Sequence, residues 1–378
     1  MRGFPAFSLK LQTTLTTQTL ERHLGRKKRA PNAEMDPTLS SMSFTDYADQ
    51  SQSALFSILP PEIRSEIFAF ALASAPDTTQ PIDQDEYCIR PGYETRHFSW
   101  TQLLRTCKRV YMEAWFMPFI WSEHTFYMAR ADRSPRRTMS VRKMQECLDL
   151  IYHRHGEVQG GQVRLFAQLF MLEKSRDFMG LFNPGLPHFY PKSVTITLRY
   201  TDTWEWEVNR ALHISGKWCR WMVLPRSVTS FKMDIESIER RKDEVDYIAN
   251  EAAKKWHFKR TDGVNLLAQS SDISISRWTG SSILGGRRWV RDEVRPGQLD
   301  YYVATVTWRP SEDSIGDRPQ RAPDLTVEWA RPLPPNLGYD CLPEDTLQRL
   351  NISMDTPAEE AVAQFATLTV TERSLVLT

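Results

Sequence analysis

From Pro61 onward the apolar positions Ile63, Ile67, Phe70 and Ala71 recur at helical spacing and stop before Pro76. This predicts an amphipathic helix that begins with a proline, which suits a first turn because its missing N–H would have no intrahelical partner there. Residues 76–98 are polar and rich in Asp, Pro and Gln, a loop pattern. Ser99-Trp100-Thr101-Gln102 has the form of a capping box. Behind it, Leu103, Leu104, Cys107, Val110, Tyr111 and Ala114 form one broad stripe, with Arg105, Lys108, Arg109, Met112 and Glu113 on the other side. A second helix is expected, interrupted by Pro118. His124 to Met128 reads as a short extended segment. Two further helical segments are expected: one marked by Val141, Met144, Leu148 and Ile151, and a buried one from Val163 to Leu172, apolar nearly all round.

Near residue 190 the period changes from helical to twofold. Val194, Ile196, Leu198 and Tyr200 alternate with Thr195, Thr197 and Arg199, and Phe231, Met233 and Ile235 alternate with Lys232, Asp234 and Glu236. Both read as half-buried strands. A charged helix is expected from about Ser237 to Trp256 along the stripe Ile238, Val245, Ile248, Ala249, Ala252 and Trp256, with Arg240 and Glu244 spaced to pair. Leu299 to Trp308 and Leu325-Val327-Trp329 are further strands. Arg331 to Pro335 should be extended, and Thr356-Pro357-Ala358-Glu359 opens a short final helix. These elements predict an α+β fold, with an N-terminal helical region packed against a C-terminal antiparallel sheet that carries one long helix. The expected division is a disordered polar arm over 1–52, a helical region over 53–189, an α+β region over 190–330, and a Pro-rich extended tail with a short helix over 331–378. No Gly/Ser linker separates the parts around residue 190.

Composition changes this picture little. The 378 residues are 41% hydrophobic and 25% charged with a net charge of +1, so no global field directs the chain to nucleic acid or to a membrane surface. No apolar run is long enough for a transmembrane helix. The five cysteines are widely spaced with no CxxC, which fits thiols in a reducing compartment and a cytoplasmic or nuclear protein.

The stretch of highest information is 55–128. Leu59-Pro60-Pro61-Glu62-Ile63-Arg64 with Ile67 is followed by Leu103-Leu104-Arg105-Thr106-Cys107-Lys108-Arg109-Val110-Tyr111, then Glu113-Ala114 and the ending Thr125-Phe126-Tyr127. This order resembles the F-box-like domains of filamentous fungi, with His124 standing where Asn is more usual. The resemblance implies that the helices after the Leu-Pro start dock a Skp1-type adaptor, while the rest of the chain selects a substrate for ubiquitination. Leu59, Pro60, Ile63, Ile67 and Phe68 are then the partner-binding residues. The other reading of the same stripe is burial in the chain's own core.

Catalytic and metal motifs are not apparent. No GxSxG, P-loop or dinucleotide fingerprint occurs, and His153, His155 and Glu157 do not fit a zinc template. The expectation is therefore a non-enzymatic protein-interaction module that needs no cofactor. Two other readings stay open. Arg26–Arg29 and the basic stretch 130–143, with Arg133, Arg136 and Arg137 as a phosphate-facing patch, suit a nuclear nucleic-acid-associated protein. Trp204, Trp206, Trp218 and Trp221 fall close together and suit an aromatic cleft of an enzyme or ligand binder, with core filling as the alternative.

Overall fold

A computed structural model describes residues 48–135, 141–174, 186–311, 324–331, 333 and 340–367. The described residues open with helices α1 (Ala54–Ser57) and α2 (Pro61–Ala71), then strands β1 (Ser74–Pro81) and β2 (Thr95–Ser99), which pair antiparallel. Helices α3 (Lys108–Ala114) and α4 (Met117–Trp121) lead into β3 (Glu123–Met128). Helix α5 (Val141–His155), β4 (Gln162–Ala167), α6 (Leu169–Lys174) and β5 (Ser193–Leu198) follow. After several short turns come β6 (Ser230–Ile238), α7 (Lys242–Lys255), β7 (Ile273–Ser281), β8 (Gln298–Pro310), and the helices α8 (Glu344–Arg349) and α9 (Ala358–Ala366).

One nine-stranded sheet organises these elements. β3, β4, β5 and β6 lie side by side and all parallel, and β8 adds antiparallel to β6. β7 pairs along β8, and the short strands Asn265–Leu267, Phe258–Arg260 and Val223–Leu224 complete the sheet. The expected α+β arrangement with an antiparallel C-terminal sheet is therefore overturned: the fold is a mixed α/β structure dominated by this sheet. The helical region expected over 53–189 is overturned with it. It holds helices up to the 15-residue α5, but it also contributes β3 and β4 to the sheet. The boundary at 190 falls between β4 and β5, which are hydrogen-bonded neighbours.

The misreadings have local causes. Val163 to Leu172 is not one helix but β4, a break at Gln168, and α6. β4 alternates only over Gln162–Leu165, and the buried run from Leu165 to Ala167 continues into the apolar residues of α6, which masks that twofold signature. The expected capping box at Ser99 does not start a helix. Thr101–Arg105 is a 3-10 turn, and the helix begins only after Cys107, whose Sγ caps the Val110 N–H at 3.5 Å. The stretch 76–98 is not simply a loop. It supplies β1, β2 and, between them, a strap over 82–94 that lies across the sheet.

Each central strand has two buried faces of opposite character. On the first, Val163, Leu165, Val194, Ile196, Leu198, Phe231, Met233 and Ile235 pack against Met144 and Leu148 of α5, Leu169 and Leu172 of α6, and Val245, Ile248 and Ala249 of α7. On the second, Thr197, Arg199, Asp234 and Glu236 are buried beneath the strap, where half-buried strands would have turned them to water. Arg199 anchors that face. Its Nε and Nη2 donate to Asp202 at 2.5 and 3.1 Å, Nη1 to the Tyr87 carbonyl at 3.1 Å, and Nη2 to the Arg133 carbonyl at 2.8 Å. One buried ion pair thus fixes two remote segments. Arg199→Leu should cost roughly 3–5 kcal/mol in denaturant unfolding, because it leaves Asp202 charged and buried without a partner. Arg199→Leu combined with Asp202→Leu should recover most of that loss, and a single-variant loss below about 1 kcal/mol would contradict the assignment.

Candidate functional site

Helix α2 carries two apolar stripes. Arg64, Phe68 and Leu72 point inward; Phe68 and Leu72 pack with Val110, Ala114 and Met117 in a small core of their own. Ile63, Ile67 and Phe70 are 48%, 41% and 90% exposed. At 3.6 residues per turn the outer stripe sits roughly 130° around the helix axis from the inner one. Ile58, just before the helix, is exposed as well. Glu62, Ser65 and Glu66 take the remaining surface. A helix that only filled a core would need one stripe.

The ridge is held from behind by charge. Arg64 is buried and donates from Nε and Nη2 to the two carboxylate oxygens of Glu113 at 2.9 and 3.1 Å, and from Nη1 to the Leu59 carbonyl at 2.8 Å. Arg109 also reaches Glu113 at 3.3 Å and lies 4.2 Å from the Phe56 ring centre. Bidentate Arg–carboxylate geometry is directional, so it sets α2 against α3 and fixes the Leu-Pro turn that starts α2. Of the expected partner residues, Ile63 and Ile67 face outward, Pro60 is exposed, Leu59 is half-buried, and Phe68 is in the core. Phe68 is thus withdrawn as a contact residue. Phe70, part of the predicted stripe but not among the expected contact residues, faces outward with Ile63 and Ile67.

The other sites expected from the sequence are not assembled. Arg133 is buried: its guanidinium lies 3.5 Å from the Tyr87 ring centre and donates to the Thr201 carbonyl at 3.1 Å, so it faces no phosphate. Arg136, Arg137 and Arg26–Arg29 lie outside the described residues. The four tryptophans do not converge. Trp206 is buried beside Tyr200 and Trp289 on the strap side, Trp218 is buried with Trp256 and Phe258 in the helix-side core, Trp204 packs against that same core, and Trp221 is exposed. Trp204 and Trp206 do not share a strand, because the chain turns through Glu205 at φ +50°. The expected Arg240–Glu244 pair is replaced by Arg241–Glu244, while Arg240 reaches Asp292.

The densest chemistry lies under the strap. Asp234 accepts from Arg164 Nη1 at 2.6 Å and from the Thr197 and Thr305 hydroxyls at 2.8 Å each. Arg164 also reaches Glu123, to which the Tyr93 hydroxyl donates. Glu236 meets Arg90 of the strap at 3.5 Å and accepts from Trp278 Nε1 at 3.1 Å. Tyr87 of the strap lies directly over Gly285, where a Cβ would stand 2.1 Å from its hydroxyl. Gly285 and Gly286, both at positive φ, close a tight turn that suits glycine. Burial works against charge on Asp234, but Arg164, Arg90 and the two hydroxyls outweigh it and hold the carboxyl below its ordinary range. At Glu236 burial prevails, and the carboxyl is raised. Burial also pushes the Cys88 thiol of the strap up to about 11, so it stays protonated. These groups are engaged with one another. They form a clamp between strap and sheet, and a small cleft lined by Tyr87, Arg199, Glu236, Trp278, Ser281 and Tyr301 opens beside it.

Among the described residues no cluster of three or more His, Cys, Asp or Glu is placed to hold a metal ion, and no helix is long and apolar enough to cross a membrane. No protein-family model, no curated protein and no solved structure matches the chain.

The two carboxylates give opposite pH dependences. Asp234, depressed in the fold, contributes stability that is complete above its unfolded value and lost as pH falls through the folded one. Glu236, raised in the fold, contributes stability at low pH that is lost as pH rises through its folded value. Asp234→Asn should therefore cost roughly 3 kcal/mol at neutral pH and progressively less on acidification. Glu236→Gln should gain stability relative to the native chain as pH rises from about 4 to 7. Urea unfolding across that range measures both, and slopes of the same sign would refute the assignment.

Proposed function

We propose that this chain is a protein-interaction module that docks a partner through the outer stripe of α2, and that it works as an F-box-like substrate adaptor whose partner is of the Skp1 type. The observation that carries the docking reading is the double stripe of α2, in which Ile63, Ile67 and Phe70 stay in water while Phe68 and Leu72 already complete the inner packing. Leaving three large apolar groups on one short helix opposes solubility unless a partner covers them. An i, i+4, i+7 stripe is the arrangement with which a helix enters an apolar groove. The adaptor identity is supported by the Leu59 to Ile67 and Leu103 to Tyr111 resemblance. The sheet and its strap then form the body that presents a substrate.

Binding of the purified full-length chain to a recombinant Skp1-type adaptor, measured by calorimetry, tests the reading. Ile63→Asp and Ile67→Asp should each weaken binding by at least about tenfold, as expected for central apolar contacts, with little change in thermal stability. Phe68→Ala should instead cost roughly 3–5 kcal/mol of folding stability. No measurable binding by the native chain would reject the adaptor. Unchanged binding by both Asp variants would reject the surface.

A further inference from the structure

Strand β7 is an open edge beside a cleft. It pairs with β8 along all nine residues, Ile273↔Val306 through Ser281↔Gln298. Among the described residues no strand pairs with its other side, and from Ser274 to Ser281 its backbone makes no hydrogen bond outside that ladder. An edge of about 30 Å without proline, lysine or a bulge is a template for another strand. At its C-terminal end, Trp278, Gly280 and Ser281 also line the cleft beside the strap, together with Glu86, Tyr87 and Tyr301.

We propose that edge and cleft form one peptide site: an extended segment of a partner protein adds to β7, and a lysine or arginine of that segment enters the cleft. The inference rests on the adaptor reading, since it names the substrate class that the body of the chain would hold. Residues directly opposite across a ladder share a face, so a residue paired with Gly280 sets its side chain on the same face as Trp278, at the cleft. Gly280 has no side chain there, and the Trp278 indole leans over it, where a Cβ would stand 2.6 Å from Cζ3. That indole is stacked on Tyr301 at 3.9 Å and 7°.

Two independent observations set the charge of the occupant. The first is the rim. Asp83, Asp85 and Glu86 lie together on the strap; Asp85 accepts from the Ser281 hydroxyl at 2.5 Å, and Asp83 from the Asp85 N–H at 3.1 Å. No cation of the described residues pairs with any of the three. Arg199 is the one cation lining the cleft, and its donors go to Asp202 and to the Tyr87 and Arg133 carbonyls. Deeper in, Glu236 is already met by Arg90 and Trp278. The free charge at the mouth is therefore negative. The second is Tyr301, which is 4% exposed and lines the cleft, and whose hydroxyl has no hydrogen-bond partner among the described residues. A buried polar group is seldom left unmatched, and a phenol oxygen accepts from an ammonium or guanidinium. The aliphatic stem of such a side chain packs on the indole while its head reaches these acceptors.

Hydrogen exchange of 274–281 in the full chain tests the proposal. The probe is a pool of short synthetic peptides with lysine fixed at the centre and the other positions drawn from Val, Ile, Thr and Ser. At millimolar peptide the outward-facing amides of β7 should slow by at least about tenfold. The same pool with glutamate at the centre should give no protection. Asp85→Lys with Glu86→Lys should abolish protection by the lysine pool and confer it on the glutamate pool, a gain that a poorly folded variant could not show. Tyr301→Phe, which removes no hydrogen bond of the free chain, should weaken binding of the lysine pool by about tenfold, as expected for one hydrogen bond to a charged group. Unprotected β7 amides with the lysine pool, or equal protection by both pools, would overturn the proposal. So would protection that rises with protein concentration in the absence of peptide, which would make a second copy the occupant. Calorimetry with the Skp1-type adaptor reads α2 separately: absent adaptor binding with intact peptide protection rejects the adaptor identity and keeps the peptide site.

Discussion

The structure depends on how a buried sheet face made of charges is neutralised. Arg199, Asp234 and Glu236 lie buried along β5 and β6, with half-buried Arg164 of β4 beside them. Several kcal/mol of desolvation per ion has to be offset by close pairing. Asp234 is answered from within the sheet by Arg164, Thr197 and Thr305, and Arg199 by Asp202. Glu236 is answered by Arg90, and Glu123 by Tyr93 as well as Arg164, so the 82–94 strap is required to complete the face. Tyr93 and Arg90 also lie against Phe166, at 5.0 and 5.8 Å from its ring centre. The strap is therefore part of the core, although its backbone forms mainly turns.

The same device recurs away from the strap. Arg288 grips Glu293 and the carbonyls of Ser353 and Thr356, which ties the C-terminal helices to the rim of the sheet. Arg291 links Asp292 and Asp340 to the carbonyls of Trp206 and Glu207. Arg241 joins Glu244 to the Arg210 carbonyl. In each case a carboxylate neutralises the guanidinium, and further donors satisfy loop carbonyls that burial would otherwise leave unpaired. Arg64 with Glu113 applies it to α2, which leaves that helix rigid behind its exposed stripe. A preorganised helix binds with less loss of conformational freedom, which favours the docking role.

What the sequence made legible follows from the physics of each element. The alternations at Val194–Leu198 and Phe231–Ile235 placed β5 and β6 correctly, because their apolar halves face one helix layer. The stripe Val245, Ile248, Ala249 and Ala252 placed α7 for the same reason. The opposite halves were misjudged: Thr197, Asp234 and Glu236 look solvated in sequence, and only the strap, more than a hundred residues earlier, buries them. β4 was hidden because its apolar end, Leu165 to Ala167, runs on into α6, and parallel pairing of β3 to β6 has no local signature. In α2 the outer stripe was visible at Ile63 and Ile67. Whether it faced a partner or the core depended on Phe68 and Leu72 filling the interior. Arg133 shows the reverse failure, a basic-loop residue that long-range packing takes inside against Tyr87.

Native-state hydrogen exchange of the strap tests the central claim most directly, because an ordinary surface loop and a completing layer of the core open at different free energies. If the strap completes the charged face, the Ile89 and Tyr93 amides, which donate to Glu86 and Arg90 carbonyls, should open at nearly the same free energy as amides of β5 and β6, within about 1 kcal/mol. Exchange of 82–94 near the rate of an unprotected loop, with the sheet still protected, would contradict the account.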